Sequence, residues 1–562
     1  MKDLVKNNSK YKKDSIYFIP LGGTGEIGMN LNVYQMNNSL LAVDLGFTFA
    51  DDSLPGIDLV MPDPEYLINK KNNLIALLIT HGHEDHIGAI PYIWPLLECP
   101  IYATPFTAEL ITQKLYDVGF SQDLPINIVS NSDPITLGPF EVQYIPITHS
   151  IPEARSLSIK TNIGTIIHTG DWKLDKDPIV GSTTNKQLFC EIGDEGVTAL
   201  VGDSTNVLKD GWSGSEMIVK ETILKLFENR KGAIIITQFA SNISRLVSII
   251  EASQSLNREV VLVGRSLWKY FKAAKKTGVI NNLSVLKEKE ATNLHSDQIV
   301  FICTGCQGEQ RAAMSKIADD SHPRVKISSG DTVIFSSKII PGNEKPIALL
   351  KNKLNKRGIE IIDEKFPGIH VSGHPMREEI KELYSWLKPK VVVPVHGEIQ
   401  HLESHSALAI DIGSKNAPII NNGDVLKLVP GKPKIIDNVN TGRLALDGSR
   451  LIHTDHPAIK ERKKLKEDGI VFITIVMTKN SYLIDSQSIT VHGVLDSEAD
   501  ELFLSQVVDI ISTIINHSDS KLSCNIIIKE KTQIAVRKFF KEKFGKKPRI
   551  VVHLIKACEL GD

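Results

Sequence analysis

The chain has 562 residues, with 65 Lys and Arg against 66 Asp and Glu and a formal net charge of −1, a balance that excludes a globally basic nucleic-acid binder but leaves room for local charge. At 42% hydrophobic and 23% charged residues the composition is that of a globular protein, too long for one core and expected to form two to four domains. No run approaches 18 uninterrupted apolar residues, residues 1–15 are polar and lysine-rich, and the six cysteines are scattered, so the expectation is a cytoplasmic enzyme with neither membrane span nor secretory leader.

Residues 16–20 form an apolar run leading into Leu21-Gly22-Gly23-Thr24-Gly25-Glu26-Ile27-Gly28, which contains a literal GxGxxG. A dinucleotide site would need a helix immediately after Gly28 to present its N-terminus to a pyrophosphate. Residues 30–35 and 40–43 instead read as two short strands around Asn37-Asn38, with Asp44 closing the second, so the nicotinamide reading is set aside.

The apolar run 74–79 ends at Thr80 and releases His81-Gly82-His83-Glu84-Asp85-His86, three imidazoles and two carboxylates in six residues. A strand that ends at the rim of a sheet can aim such a loop at one point, and imidazole with carboxylate suits zinc or a similar divalent ion. A metal pair roughly 3.5 to 4 Å apart needs further donors. Three more apolar runs stop at one: 142–148 at His149, 165–169 through Gly170 at Asp171, and 391–395 at His396. His168 falls outside that pattern and reads as structural.

Between Asp171 and His396 lies more chain than two ligand-bearing strands require, so an inserted domain is expected. It carries short polar or glycine-containing clusters, most of them after apolar runs: 202–206, Phe239-Ala240-Ser241-Asn242-Ile243, 264–266, Thr304-Gly305-Cys306-Gln307-Gly308-Glu309, 341–344 and His370-Val371-Ser372-Gly373-His374. In an α/β sheet such loops gather at the carboxyl ends of strands and build one cleft. Cys303 and Cys306 form a CxxC with no second pair and no redox context, and read as two reduced thiols. Residues 447–468 are charged and read as a linker. Beyond them, strands are expected at 470–477, 488–494, 524–528 and 550–555, and helices at 499–515 and 532–544. Residues 529–549 hold nine Lys or Arg against two Glu with Phe539, Phe540 and Phe544 among them, which makes them a candidate RNA-facing or interface surface with a solvated helix face as the plain alternative.

The HxHxDH loop is similar to that of the metallo-β-lactamase fold, and the insert clusters resemble the β-CASP group of that superfamily, specifically the ribonuclease J family, over about 17–429 and more weakly to the C-terminus. The resemblance implies an α/β architecture: a metallo-β-lactamase αββα sandwich (1–208 and 361–446), an inserted β-CASP α/β domain (209–360) and a small α/β C-terminal domain (469–562). It implies two Zn²⁺ per chain, with Mn²⁺ or Mg²⁺ as substitutes, held by His81, His83 and His149 on one side and Asp85, His86 and His396 on the other, and bridged by Asp171. Asp44 would orient the ligand loop. Asp85, Asp203 and His374 would be the catalytic residues, and Ser241, His370 and His374 would cradle a substrate phosphate. The implied activity is hydrolysis of single-stranded RNA, 5′ to 3′ exonucleolytic from a 5′-monophosphate and also endonucleolytic, in RNA maturation and mRNA decay, by a homodimer or homotetramer in contact with other RNA-decay factors. Cys306 stands where Ser is expected and Trp172 where Phe is common; neither removes a ligand. A small thioester or lactam hydrolase would share the loop without needing Ser241 and His374, and a silent RNA-binding subunit would be expected to have lost ligands.

Overall fold

The computed structural model describes residues 12, 14–120, 124–130, 132–292, 294–477, 482–483, 488–495, 500–516 and 525–556. They form two compact units, 1–48 with 61–443, and 49–60 with 444–562.

The first unit is built on three sheets. An eight-stranded sheet runs in the order Lys434–Asn438, Asp424–Val429, Ile16–Gly22, Leu31–Met36, Ser39–Val43, Leu74–Leu78, Ile101–Ala103, Ile126–Ile128. A six-stranded sheet runs Ile135–Leu137, Phe140–Pro146, Arg155–Thr161, Gly164–His168, Val197–Asp203, Val391–Val395. Phe18, Tyr34 and Leu78 of the first meet Phe140, Tyr144 and Val393 of the second in one buried cluster, the interior of a sandwich. The outer face of the six-stranded sheet (Ile145, Ile167, Leu200, Val392) is covered by Phe189, Leu383, Trp386 and Leu408 from three helices. Trp172, fully buried, fills part of that layer.

Val197–Asp203 and Val391–Val395 are adjacent and parallel, with Asp203 opposite Val395, although the whole insert separates them in sequence. That insert folds around a third, all-parallel sheet in the order Leu286–Lys287, Glu259–Val263, Ile299–Cys303, Ile234–Thr237, Thr332–Phe335, Glu360–Ile362. Its strands are nearly continuous Val and Ile because helices cover both faces. Cys303 and Cys306 are free and buried, and burial pushes the Cys306 thiol up to about 12, so both remain protonated.

The glycine-rich segment does not precede a helix: Leu31–Met36 follows as a strand, antiparallel to Ile16–Gly22. Its glycines serve close approach. A Cβ on Gly22 would lie 2.1 Å from the Met29 carbonyl oxygen, and the Gly23 carbonyl accepts the His396 N–H at 2.7 Å, which ties this turn to the end of a ligand-bearing strand.

In the second unit, Ile470–Met477 pairs antiparallel with Ile489–His492 and parallel with Arg549–Lys556, under helices Asp500–Asn516 and Asn525–Phe544. Three expectations need correction. The strand expected at 524–528 is, from 525 on, the first turn of the second helix. Three consecutive isoleucines imitate a strand, but Ile526 and Ile527 are exposed, whereas Ile528, Thr532, Val536 and Phe540 are buried at a four-residue spacing, the period of a helix. Phe539, Phe540 and Phe544 belong to the core of this unit, so the cations of 529–549 form a solvated face rather than one interleaved with aromatic rings. The span 447–468 is not a bare linker either: it holds the strand Arg450–His453 and the helix Pro457–Asp468. Pro457 at the first helical position, the His456 ring accepting the Ala458 N–H, and Gly469 after the last turn delimit a stretch of good helix formers.

Candidate metal centre

Strand Leu74–Leu78 carries the ligand loop to the carboxyl end of the eight-stranded sheet, beside Asp44 at the end of the neighbouring strand. Asp44 sits at φ 61°, a left-handed conformation that Asp tolerates better than most residues. Its carboxylate accepts hydrogen bonds from the Thr80 N–H at 2.8 Å, the Thr80 hydroxyl at 2.9 Å and His86 Nδ1 at 2.7 Å. The His86 proton is therefore held on Nδ1, and Nε2 faces Asp171 Oδ2 at 3.2 Å. Gly46 lets the loop come this close. A Cβ there would stand 1.7 Å from the Asp85 carbonyl oxygen, while Leu45 N and Phe47 N donate to the carbonyls of His86 and Glu84 at 2.7 and 3.2 Å. Gly46→Ala is expected to cost about 1–3 kcal/mol through overpacking and to lower bound metal per chain; denaturant unfolding and elemental analysis check both.

The remaining candidate ligands arrive at the ends of their strands. His149 Nδ1 donates to the Gly373 carbonyl at 2.6 Å and His396 Nδ1 to Asn30 Oδ1 at 3.0 Å, so in each ring Nε2 is the free donor atom. Asn30 Nδ2 donates to the Asp85 carbonyl at 3.1 Å and lies equally close to His86 Nε2. Asn30 thus fixes both a histidine and the loop, a role with no signature in sequence. His168, as expected, is elsewhere: its Nδ1 pairs with the Tyr34 hydroxyl inside the sandwich.

His81 Nε2 and His149 Nε2 approach His83 Nδ1 at 3.1 and 3.0 Å. Asp171 Oδ2 lies 3.8 Å from His81, 3.2 Å from His86, 3.9 Å from His149, 3.6 Å from His396 and 3.9 Å from His374 nitrogen atoms. Among the described residues three groups result, His81, His83, His149, Asp171; Asp85, His86, Asp171, His396; and Asp171, Asp203, His374, His396, each with its ligand atoms within 4.8 Å of one another and Asp171 common to all. The donor set fits divalent ions. Neutral nitrogen lone pairs aimed at one another repel unless a cation lies between them, and two donors at about 2.1 Å around a tetrahedral ion are roughly 3.4 Å apart, close to the separations found. Burial and neighbouring imidazoles push His81 and His149 well below the ordinary histidine range and burial takes His83 to about 4, which keeps them neutral, the form a metal binds. Burial opposes ionisation of Asp171, but His396, His86 and His374 outweigh it and hold the carboxyl well below its usual range.

Beside this centre, His374 Nδ1 donates to Asp203 Oδ2 at 2.8 Å. Burial disfavours charge on His374, yet the Asp203 and Asp171 carboxylates prevail and lift it to about 9. Asp203, itself buried, is anchored by the Thr205 N–H at 2.9 Å. Ser241 and His370 meet different partners. Ser241 Oγ lies 3.1 Å from His83 Nε2, whereas His370 Nδ1 lies 3.5 Å from the Arg245 guanidinium and burial beside that cation takes it down to about 3. Arg245 escaped the sequence reading, as did Glu216, which it engages through Nε and one terminal nitrogen at 2.9 and 2.8 Å. The only sequence sign is an arginine within the apolar stretch that opens helix Ile243–Ser255. Arg245→Leu would strand the buried Glu216 charge and is expected to destabilise by about 3–5 kcal/mol; Arg245→Leu with Glu216→Leu should recover much of the loss in a double-mutant unfolding cycle.

Comparison with known proteins follows the same layout. Residues 55–186 match the family described as "Beta-lactamase superfamily domain", 231–354 "Ribonuclease J, beta-CASP domain", 359–419 "Zn-dependent metallo-hydrolase RNA specificity domain" and 457–557 "Ribonuclease J C-terminal domain". A ribonuclease J of Sinorhizobium meliloti is 39% identical over 99% of this chain and 100% of its own. One from Helicobacter pylori is 33% identical over 96% and 80%, and ribonuclease J2 of Bacillus subtilis is 31% identical over 96% and 99%. A crystal structure of a protein of unknown function from Enterococcus faecalis overlays 74% of this chain and all of its own with a TM-score of 0.52 at 16% identity, a likeness of fold alone. With a full-length relative at 39% identity and both its insert and its C-terminal region matched, the chain belongs to the ribonuclease J family.

Proposed function

We propose that the chain is a metal-dependent ribonuclease that hydrolyses single-stranded RNA with two zinc ions, cutting 5′ to 3′ from a 5′-monophosphate end and also internally. The observation that carries the reading is Asp171 Oδ2, a buried carboxylate oxygen within 3.9 Å of nitrogen atoms of five histidines. In this reading His81, His83 and His149 hold one ion, Asp85, His86 and His396 the other, and Asp171 both. When bound, the ions supply Lewis acidity that lowers the pKa of water toward 7 and neutralises phosphate charge. Asp44 and Asn30 hold the rings of His86 and His396 in the tautomers that leave Nε2 free. His374, oriented by Asp203, keeps its proton on Nδ1 toward that carboxylate and offers Nε2–H to the leaving 3′ oxygen. Ser241 contributes a hydroxyl, and His370, its Nδ1 occupied by Arg245, a ring N–H, to a terminal phosphate; Arg245 positions His370.

The test is cleavage of one end-labelled single-stranded RNA bearing either a 5′-monophosphate or a 5′-triphosphate, with and without chelator. Chelator-sensitive release of mononucleotides chiefly from the monophosphate is the expected result; no cleavage of either RNA overturns the reading. Ser241→Ala combined with His370→Ala is expected to weaken release from the 5′ end by roughly 10²- to 10⁴-fold, as loss of two hydrogen bonds to a charged group would, and to spare internal cleavage. Equal losses in both modes would count against a terminal-phosphate pocket.

A further inference from the structure

None of the groups named so far explains a basic groove along the carboxyl edge of the insert's parallel sheet. Glu259–Val263 and Ile299–Cys303 are neighbouring strands, with Val263 opposite Cys303. The loops that follow them lie against one another at Gly264, where a Cβ would stand 2.6 Å from the Thr304 hydroxyl. A cavity of about 1130 Å³ opens there between helix Arg265–Lys276, the loop 304–312 with the start of helix Ala313–Ala318, and helix Pro105–Asp117, and a second of about 390 Å³ shares Trp268, Lys272 and Glu288 with it. Together their walls hold eight Lys or Arg against three acids, in a chain whose charges otherwise balance at 65 to 66.

The three acids are already engaged: Asp117 with Lys269, Glu288 with Arg324 at 3.8 Å, and Glu309 with the Gln307 N–H at 2.9 Å. Among the described residues no ion pair is recorded for Arg265, Lys272, Lys287, Lys289, Arg311 or Lys316. Trp268 lines both cavities, its indole N–H pinned to the Leu262 carbonyl at 3.1 Å and its ring edge-to-face with Phe271. Unpaired cations around a fixed aromatic ring are what a single-stranded polyanion with stacking bases requires. The groove lies one helix from the ligand loop: helix Pro105–Asp117 bonds Glu84 through Lys114 at 2.6 Å and meets Lys269 through Asp117.

We propose that this groove seats the phosphate backbone of single-stranded RNA beyond the nucleotides that reach the histidine cluster, with one base stacked on Trp268. The proposal rests on the ribonuclease reading for the identity of the polyanion. The groove binds and takes no part in bond cleavage, so it sets affinity for long RNA and leaves the chemistry of a dinucleotide untouched.

The experiment compares the full-length protein with Lys272→Ala/Arg311→Ala/Lys316→Ala, all three exposed. Binding of a 30-nucleotide oligouridylate is followed by fluorescence anisotropy at several salt concentrations with chelator present, and turnover of a 5′-monophosphorylated dinucleotide is measured with metal. The expected result is an affinity loss of roughly tenfold or more and a log K against log salt slope shallower by about two, since each phosphate contact on a single strand contributes about 0.7, with dinucleotide turnover unchanged. Trp268→Leu should weaken binding on the order of tenfold, the loss of one stacked base, without moving the slope. Wild-type affinity and slope in the triple variant overturn the groove while leaving the ribonuclease reading intact, and would leave an acidic protein as its occupant. Loss of dinucleotide turnover in that variant also overturns it. Failure of the unaltered protein to cleave any RNA, with the slope change present, counts against the ribonuclease reading alone.

Discussion

Asp171→Ala is expected to abolish RNA hydrolysis, with a fall in kcat of at least the order of 10³-fold, corresponding to the several kcal/mol that bound divalent ions contribute to a charged transition state. The reason is local. One carboxylate oxygen faces five imidazoles, and the His81, His83, His149 cluster and the Asp85, His86, His396 cluster both contain it. Removing it takes a potential ligand atom from both clusters at once. Elemental analysis should show bound metal falling for both ions rather than one, whereas His149→Ala, which touches only the first cluster, should reduce one preferentially. Thermal unfolding adds a readout independent of turnover. A ligand that binds only the folded state stabilises it by about 2.7 kcal/mol at 100 times its Kd, so chelator should lower the Tm of the unaltered protein and leave that of Asp171→Ala nearly unmoved. An Asp171→Ala protein with intact metal content and activity would remove the shared-ligand assignment.

The residues of this centre were legible in sequence because strand geometry advertises them. His149, Asp171 and His396 each close an apolar run, and a run that ends at the rim of a sheet can point only a few side chains into the cleft. Five strands or strand ends spread over more than 300 residues of sequence thus converge without any local signal of convergence. What supports the ligands was not legible. Asn30, which holds His396 and the Asp85 backbone, precedes a strand in a glycine-rich stretch that resembles a nucleotide loop, and its amide could have served any turn. Gly373 acts through its carbonyl on His149, and a backbone acceptor has no sequence signature at all. Arg245 and Glu216 sit in helices whose apolar faces are unremarkable, and only the tertiary fold closes them into a pair. The C-terminal errors have the opposite origin. At 526–528 three β-branched residues outweighed a helical period visible only over a longer window, and at 447–468 charge was read as a linker where capping residues delimit a helix.

His374→Ala separates two roles that its position allows. It lies with Asp203, Asp171 and His396 in a third group of potential ligand atoms within 4.8 Å, so it could hold an ion, yet its Nδ1 is committed to Asp203 at 2.8 Å and its ring stacks on His396 with centroids 5.7 Å apart. As donor to the leaving 3′ oxygen it contributes about 10²–10⁴-fold to kcat, and His374→Ala is expected to lose that factor on RNA with KM little changed. The leaving group decides between the roles. A nitrophenolate departs without a proton, so on bis(p-nitrophenyl) phosphate His374→Ala should retain most of the wild-type rate. An ion-holding residue would be lost equally on both substrates, and metal content would fall with it. Asp203→Asn keeps the hydrogen bond and removes the charge, so its loss on RNA should be smaller than that of His374→Ala and should likewise vanish on the nitrophenyl ester. Equal defects on RNA and on the ester in both variants would return His374 to the metal centre and leave the leaving oxygen to be protonated by water.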